Sequence, residues 1–272
     1  MIIGVDIGGT KTLVAEFSDN GRILREKRFS THPDYEHFLQ DLDQQMKAFN
    51  TAAAEAICVA VPGLLDRRAG VVKALGNLGW QDKAIRSDIK RIGKSEHVYI
   101  ENDSKLAGLS EVRALTEIPK RALYLTISTG IGGALLIDGR LSEQMNDMEL
   151  GKSPLLFEGR VVDWEDFASG RAFFEAYGVL GDDTEDPRIW QSYAQDRLGP
   201  GVAVACSYLQ VDTIIFGGGL GHHANHFTDY LAPYLDERLH AIVIKPSRLL
   251  TAKHGKNAVI YGCYEYAKEH LA

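Results

Sequence analysis

Val5-Asp6-Ile7-Gly8-Gly9-Thr10-Lys11-Thr12-Leu13-Val14 near the start of the chain and Leu125-Thr126-Ile127-Ser128-Thr129-Gly130-Ile131-Gly132-Gly133-Ala134 near its middle carry one pattern. Each is an apolar strand, a glycine-rich turn and a return strand. Each then runs into a second turn, Asn20-Gly21 or Asp138-Gly139, followed by Arg and an aliphatic residue. Asn-Gly and Asp-Gly between apolar runs are strong hairpin signals. The recurrence reads as a divergent internal repeat. Two copies of one α/β unit predict two lobes with a cleft between them.

Working outward, Ile2 to Asp6, Thr12 to Phe17 and Ile23 to Phe29 read as strands. Tyr35 to Phe49 places Phe38, Leu39, Leu42, Met46 and Phe49 on one helical stripe. Ala56 to Val61 is an apolar strand ending at Pro62-Gly63, and Val98 to Glu101 is another, with a helix beginning near Asp103. In the second half, Leu123 to Ser128 and Ala134 to Ile137 are strands, and Gly151 to Gly159 is a loop. A short helix follows near Trp164 to Ala168, with longer helices around Phe173 and between Trp190 and Tyr208. Thr213 to Phe216 is a buried strand ended by Gly217-Gly218-Gly219, and helices over Asn225 to Leu239 and Asn257 to Glu269 complete the chain. Strands alternating with helices predict an α/β architecture.

Bulk properties exclude several classes. Thirty Lys and Arg stand against 37 Asp and Glu, a net charge of −7, with no long basic run. Nucleic-acid binding needs clustered cations, so it is not expected. No segment reaches the roughly 18 apolar residues of a membrane span. Met1 leads directly into a strand without the flanks of a signal peptide. Cys58, Cys206 and Cys263 lie far apart and suggest neither a disulfide framework nor a zinc site. A cytoplasmic location is expected.

The glycine turns are the first chemical signal. Glycine lets phosphate oxygens approach backbone N–H groups, which act as an anion nest. Gly8, Gly9, Thr10 and Lys11 in one turn, and Ser128, Thr129 and Gly130 in the other, are candidate phosphate ligands. Gly217, Gly218 and Gly219 end a strand and would let an adenosine come close. Neither a Walker A loop nor a Rossmann fingerprint is present.

Glu101-Asn102-Asp103 stands at a strand end just before a helix, where α/β folds place catalytic groups. Asp103 there either caps the helix or takes the proton of a substrate hydroxyl, with Asn102 holding a neighbouring hydroxyl; beside two phosphate turns, the second reading prevails. Asn77, Glu149 and Glu165 add polar groups suited to a sugar.

Together these residues resemble the ROK family of repressors and sugar kinases. DIGGTKT at 6–12 is similar to its first phosphate motif, VPGLLD at 61–66 and NLGW at 77–80 to its Pro-Gly and sugar-loop segments, ENDSKLAGLSE at 101–111 to its catalytic segment, TISTGIGGALLIDGRL at 126–141 to its second phosphate motif, and IIFGGGLG at 214–221 to its adenosine motif. The resemblance implies the actin-like ATPase (ribonuclease H-like) fold with an active-site cleft between lobes. It implies an N-terminal lobe of residues 1–106 carrying a packed-back helix 257–272, and a C-terminal lobe of residues 107–256. It implies ATP and Mg2+, with Asp6 holding the metal through water, and transfer to a hexose hydroxyl, O6 of glucose or a related hexose. It also implies a homodimer. The helix-turn-helix of ROK repressors has no room before Asp6.

Two departures stand out. Where the family carries Glu-x-Gly-His, this chain has Glu149-Leu150-Gly151-Lys152. Lys152 reads either as solvent-facing or as an ammonium between Glu149 and Glu165. The family's Cys-rich zinc motif is absent, so no zinc is expected, and Leu155, Leu156 and Phe157 are expected to pack the loop. Polyphosphate glucokinases also lack that motif, which leaves polyphosphate as an alternative donor. A weakly active or inactive sugar- or nucleotide-binding protein is a further alternative.

Overall fold

A computed structural model describes residues 1–75 and 78–272. The chain divides into two compact units, Met1–Ser110 with Asn257–Ala272, and Glu111–Lys256. Among the described residues no helix is long and apolar enough to cross a membrane.

The first unit runs β1 (Ile2–Ile7), β2 (Lys11–Phe17), β3 (Ile23–Ser30), α1 (Tyr35–Met46) and β4 (Ala56–Val61). Then come β5 (Leu64–Asp66), β6 (Val71–Leu75), β7 (Trp80–Lys83), α2 (Ile85–Gly93), β8 (Val98–Asn102) and α3 (Asp103–Arg113). The main sheet has the order β3-β2-β1-β4-β8, antiparallel as far as β1 and parallel beyond it. The all-apolar β4 is buried along its whole length, as a central parallel strand must be. The charged β3 lies exposed at the edge, where charge discourages further pairing.

Alternation along β4 divides the core. Ile57, Val59 and Val61 join Phe38, Leu42, Trp80 and Ile89 beneath α1 and α2. The smaller Ala56, Cys58 and Ala60 face the C-terminal helix Ala258–Leu271 through Ile260, Cys263 and Tyr264. That helix sits close against α3, because a Cβ on Gly262 would fall 2.0 Å from the Leu106 carbonyl oxygen. α2 and the small sheet β5-β6-β7 lie between Pro62-Gly63 and Val98, a stretch with no element expected from the sequence.

The second unit contains β9 (Arg121–Ile127), β10 (Ile131–Ile137), β11 (Arg140–Leu141), β12 (Pro154–Phe157), β13 (Arg160–Asp163), α4 (Trp164–Ala168) and α5 (Gly170–Tyr177). It continues through α6 (Pro187–Ser192), α7 (Gly199–Leu209), β14 (Thr213–Gly217), α8 (Gly218–Gly221), α9 (Ala224–Arg238) and β15 (Arg248–Thr251). Its sheet order, β11-β10-β9-β14-β15, repeats that of the first unit with the same parallel and antiparallel pairings. The internal repeat read from two turns is therefore a repeat of whole sheets.

Two sequence expectations change here. The Gly151 to Gly159 loop contains β12 and the turn of a hairpin that β13 completes beyond it, with Glu158 and Gly159 both at positive φ. Within it Phe157 stacks on Phe167 with ring centroids 4.2 Å apart, whereas Leu156 points outward and packs nothing, 74% exposed. The single helix expected from Trp190 to Tyr208 is α6, a π-helical turn over Tyr193–Leu198, then α7. Pro200 explains the break, since it has no N–H to donate and its ring crowds the preceding turn.

Candidate active site

Three parallel strands of the first unit, β1, β4 and β8, end on one edge of the sheet. Asp6 lies next to last in β1, and Asp103 follows β8 directly. Between them, after β4, comes Pro62-Gly63. Asp103 opens α3, and its Oδ1 accepts the Ser104 N–H at 2.7 Å. Asn102 shares this contact, its Oδ1 accepting the Ser104 N–H at 3.0 Å and the Ser104 hydroxyl at 2.6 Å. The Asn102 amide donates to the Gly63 carbonyl at 3.4 Å.

Glu101 is fully buried. The Arg67 guanidinium grips it, Nε donating to both carboxylate oxygens at 2.9 and 2.8 Å and Nη2 to Oε1 at 2.7 Å. Glu101 Oε1 also accepts the Asn102 N–H at 2.6 Å. A buried carboxylate needs such a partner. Arg67 was missed in the sequence, since nothing local marks it as the partner of a residue 34 positions away.

Burial pushes the Asp6 carboxyl up to about 7; the charge of Asp103 adds to this, and Arg28 partly offsets it. Burial also raises Asp103, against the pull of the Ser104 N–H and of Lys105. The two carboxylates repel as a pair, so whichever holds a proton eases the other. A hydrated divalent cation relieves the same repulsion, and oxygen donors with room for water are what Mg2+ prefers. The donor set fits the metal that the sequence implies. The Gly8-Gly9-Thr10 turn joins β1 to β2, with the Gly8 N–H bonded to the Lys11 carbonyl at 3.0 Å. Thr10 and Lys11 are exposed.

In the second unit the Ser128-Thr129-Gly130 turn joins β9 to β10. It is braced from behind: Glu165 Oε2 accepts the Ile131 N–H at 3.1 Å, and the Gly170 N–H donates to the Ser128 carbonyl at 2.6 Å. Gly218, at φ +78°, lies against the end of β9, where a Cβ would stand 2.6 Å from the Ile127 carbonyl oxygen. Two separate glycine motifs therefore meet. Ser128, Thr129, Phe174, Leu180, Gly219 and Leu220 line a cavity of about 470 Å3.

The remaining candidates sort differently. Glu165 also pairs through Oε1 with the Lys152 ammonium at 2.6 Å, and Lys152 reaches Asp163 at 3.3 Å. Those two bonds raise Lys152 further above its ordinary range. Lys152 is therefore not solvated alone, nor does it lie between Glu149 and Glu165; its second partner is Asp163, which the sequence reading did not single out. The Glu149 residue is exposed, and its carbonyl oxygen accepts the Lys152 N–H at 3.1 Å. Asn77 lies outside the described residues.

Comparison with known proteins agrees with this plan. The ROK family profile matches residues 2–270. The glucokinase of Streptomyces coelicolor is 23% identical over 312 aligned positions, covering 99% of this chain and 98% of that protein. The N-acetyl-D-glucosamine kinase of Salmonella newport is 25% identical, covering 94% and 95%. The crystal structure of a ROK hexokinase from Thermus thermophilus superposes with a TM-score of 0.79 at 26% identity, covering 99% of this chain and 98% of that one. With duplicated sheets, two braced glycine turns and a match over nearly its whole length, this chain belongs to the ROK family and has the actin-like ATPase fold of that family's sugar kinases.

Proposed function

We propose that this sugar kinase transfers the terminal phosphoryl group of ATP to a hexose hydroxyl, O6 of glucose or of a related hexose. The observation that carries the reading is the pair of half-buried, mutually repelling carboxylates, Asp6 and Asp103, at the ends of the two strands that flank β4, beside a glycine turn. Phosphoryl transfer asks for little else from a protein than a positioned base, phosphate ligands and charge neutralisation.

Asp103 is the base. Its raised affinity for a proton suits it to take one from a hydroxyl as the oxygen–phosphorus bond forms and the bond to the ADP oxygen breaks. Asp6 holds Mg2+ through water, and that ion would supply charge neutralisation for the phosphates. Gly8, Gly9, Thr10 and Lys11 serve one set of phosphate oxygens, and Thr129 and Gly130 another. The cavity beside Gly217, Gly218 and Gly219 takes the adenine, for which Phe174, Leu180 and Leu220 offer apolar lining. A base-binding surface favours ATP over polyphosphate, which carries no base.

Asn77, Asn102 and Glu149 are assigned to the sugar. Both oxygens of Glu165 are engaged by protein groups, so its service to the sugar side runs through position, with Lys152 as its counter-ion. Lysine supplies charge without the fixed geometry of an imidazole, so this chain selects its sugar with one directional contact fewer than Glu-x-Gly-His provides.

The test is ADP release over a panel of hexoses and N-acetylhexosamines, with polyphosphate as a parallel donor and Asp103→Asn as control. Turnover by Asp103→Asn at the wild-type rate would sink the assignment of the base. Faster turnover with polyphosphate than with ATP would overturn the donor.

A further inference from the structure

We propose that His32, Asp34 and His37 form a surface site for a divalent transition-metal ion, zinc by chemistry. His32 and Asp34 lie in the link between β3 and α1 and His37 in the first turn of α1, and one donor atom from each lies within 4.8 Å of the others. Ligands of a tetrahedral zinc ion stand about 3.4 Å apart, given bonds of about 2.1 Å. The widest pair of donors therefore has to close by roughly 1.4 Å, within reach of side-chain rotation at the surface. Two imidazoles and one carboxylate make a donor set suited to zinc, copper or nickel, whereas magnesium and calcium prefer oxygen alone.

The site is largely formed without the ion. Asp34 is the N-cap of α1, its Oδ1 accepting the His37 N–H at 2.9 Å. The same oxygen faces His37 Nδ1 at 2.9 Å, so an ion there replaces one shared proton. The two rings lie with centroids 4.8 Å apart. The link is held on both sides: the Trp80 indole N–H donates to the Pro33 carbonyl at 2.7 Å, and the Tyr35 hydroxyl donates to Asp88 at 2.8 Å. Little chain entropy is lost on binding, because Pro33 and these bonds already fix the backbone. Trp80 belongs to the segment read as the sugar loop, so a bound ion would stiffen the backbone on which that loop's tryptophan rests.

The test needs no kinase assay, so it stands or falls apart from the proposed reaction. Zinc is titrated calorimetrically into the full chain after chelator treatment. One ion per chain is expected. Loss of a ligand should weaken binding at least as much as loss of a supporting group does, so His32→Ala and His37→Ala should each cost about 10-fold or more. Asp34→Asn separates ligand from cap, since asparagine caps as well as aspartate but lacks the charge; it should keep helix content by circular dichroism and lose zinc affinity. Copper(II) should quench the Trp80 contribution to fluorescence, read as the difference from Trp80→Phe. Absence of zinc binding, or equal binding by wild type and the His32→Ala/His37→Ala double variant, would overturn the site.

Discussion

The two five-stranded sheets share one strand order but differ in what stands at their strand ends. Asp6 precedes the last residue of β1, and the matching place in β9 is Thr126. Asp103 follows β8, and Ala252 follows β15. One sheet thus gathers two half-buried carboxylates, groups that attract cations and accept protons. The other offers hydroxyls and backbone N–H groups around Ser128 and Thr129, which suit phosphate oxygens. The platform occurs twice, and under the proposed function two side chains would decide which copy does chemistry and which copy holds.

Removing the proton acceptor from the charged copy should have the largest effect. Asp103→Asn should lower kcat by about 100- to 10,000-fold, the range of general-base catalysis, with the unfolding midpoint close to wild type. If ADP release hardly changed, the two copies would not differ in the way argued here.

Next in size is the ion pair beneath the base. Arg67→Met leaves Glu101 buried without its guanidinium, and stability by urea denaturation should fall by about 3–5 kcal/mol. A smaller loss would mean that Glu101 finds water or another donor.

Asp6→Asn tests the repulsion itself. The Asp6 carboxyl is held at about 7 in the folded chain, above its ordinary 3.8. The folded state therefore binds this proton more tightly than the unfolded one. Without metal, stability falls as the pH rises from about 4 to about 7, by at most about 4 kcal/mol. Asp6→Asn should flatten that slope in chelator, measured as the difference between the two pH profiles, and Mg2+ should flatten it in the wild type.

Smallest of all is Lys152→Met in the uncharged copy's unit. Lys152 is 58% exposed, so its pairs with Glu165 and Asp163 should contribute under about 1 kcal/mol to stability. Its effect should fall on sugar KM rather than on the unfolding midpoint.

Much of this plan was legible in the order of residues, and the illegible part has a common cause. Turns announce themselves locally, so Gly8-Gly9, Asn20-Gly21 and Asp138-Gly139 could be read directly, and with them the duplicated hairpins. Asp103 stood out only beside the two phosphate turns, because a carboxylate between a strand and a helix is on its own a common cap. The partners of charged groups were not. Arg67 reaches Glu101, and Lys152 reaches Asp163 and Glu165, only once the chain has folded, and no local periodicity encodes either contact. The β12-β13 hairpin escaped because Glu158-Gly159 is a less familiar turn than Asn-Gly, although both residues adopt positive φ. α2 was hidden by its brevity, though Ile85, Ile89 and Gly93 recur at helical spacing on its buried side.

The contact between the C-terminal helix and the small residues of β4 also sets an order of events during synthesis. Residues 111–256 form their unit from one uninterrupted stretch. The first sheet, made earlier, has one face open until Ile260, Cys263 and Tyr264 emerge. Ala56, Cys58 and Ala60 therefore stay uncovered until the last helix has been made, so the first unit, although begun first, cannot complete its packing before the second has been synthesised.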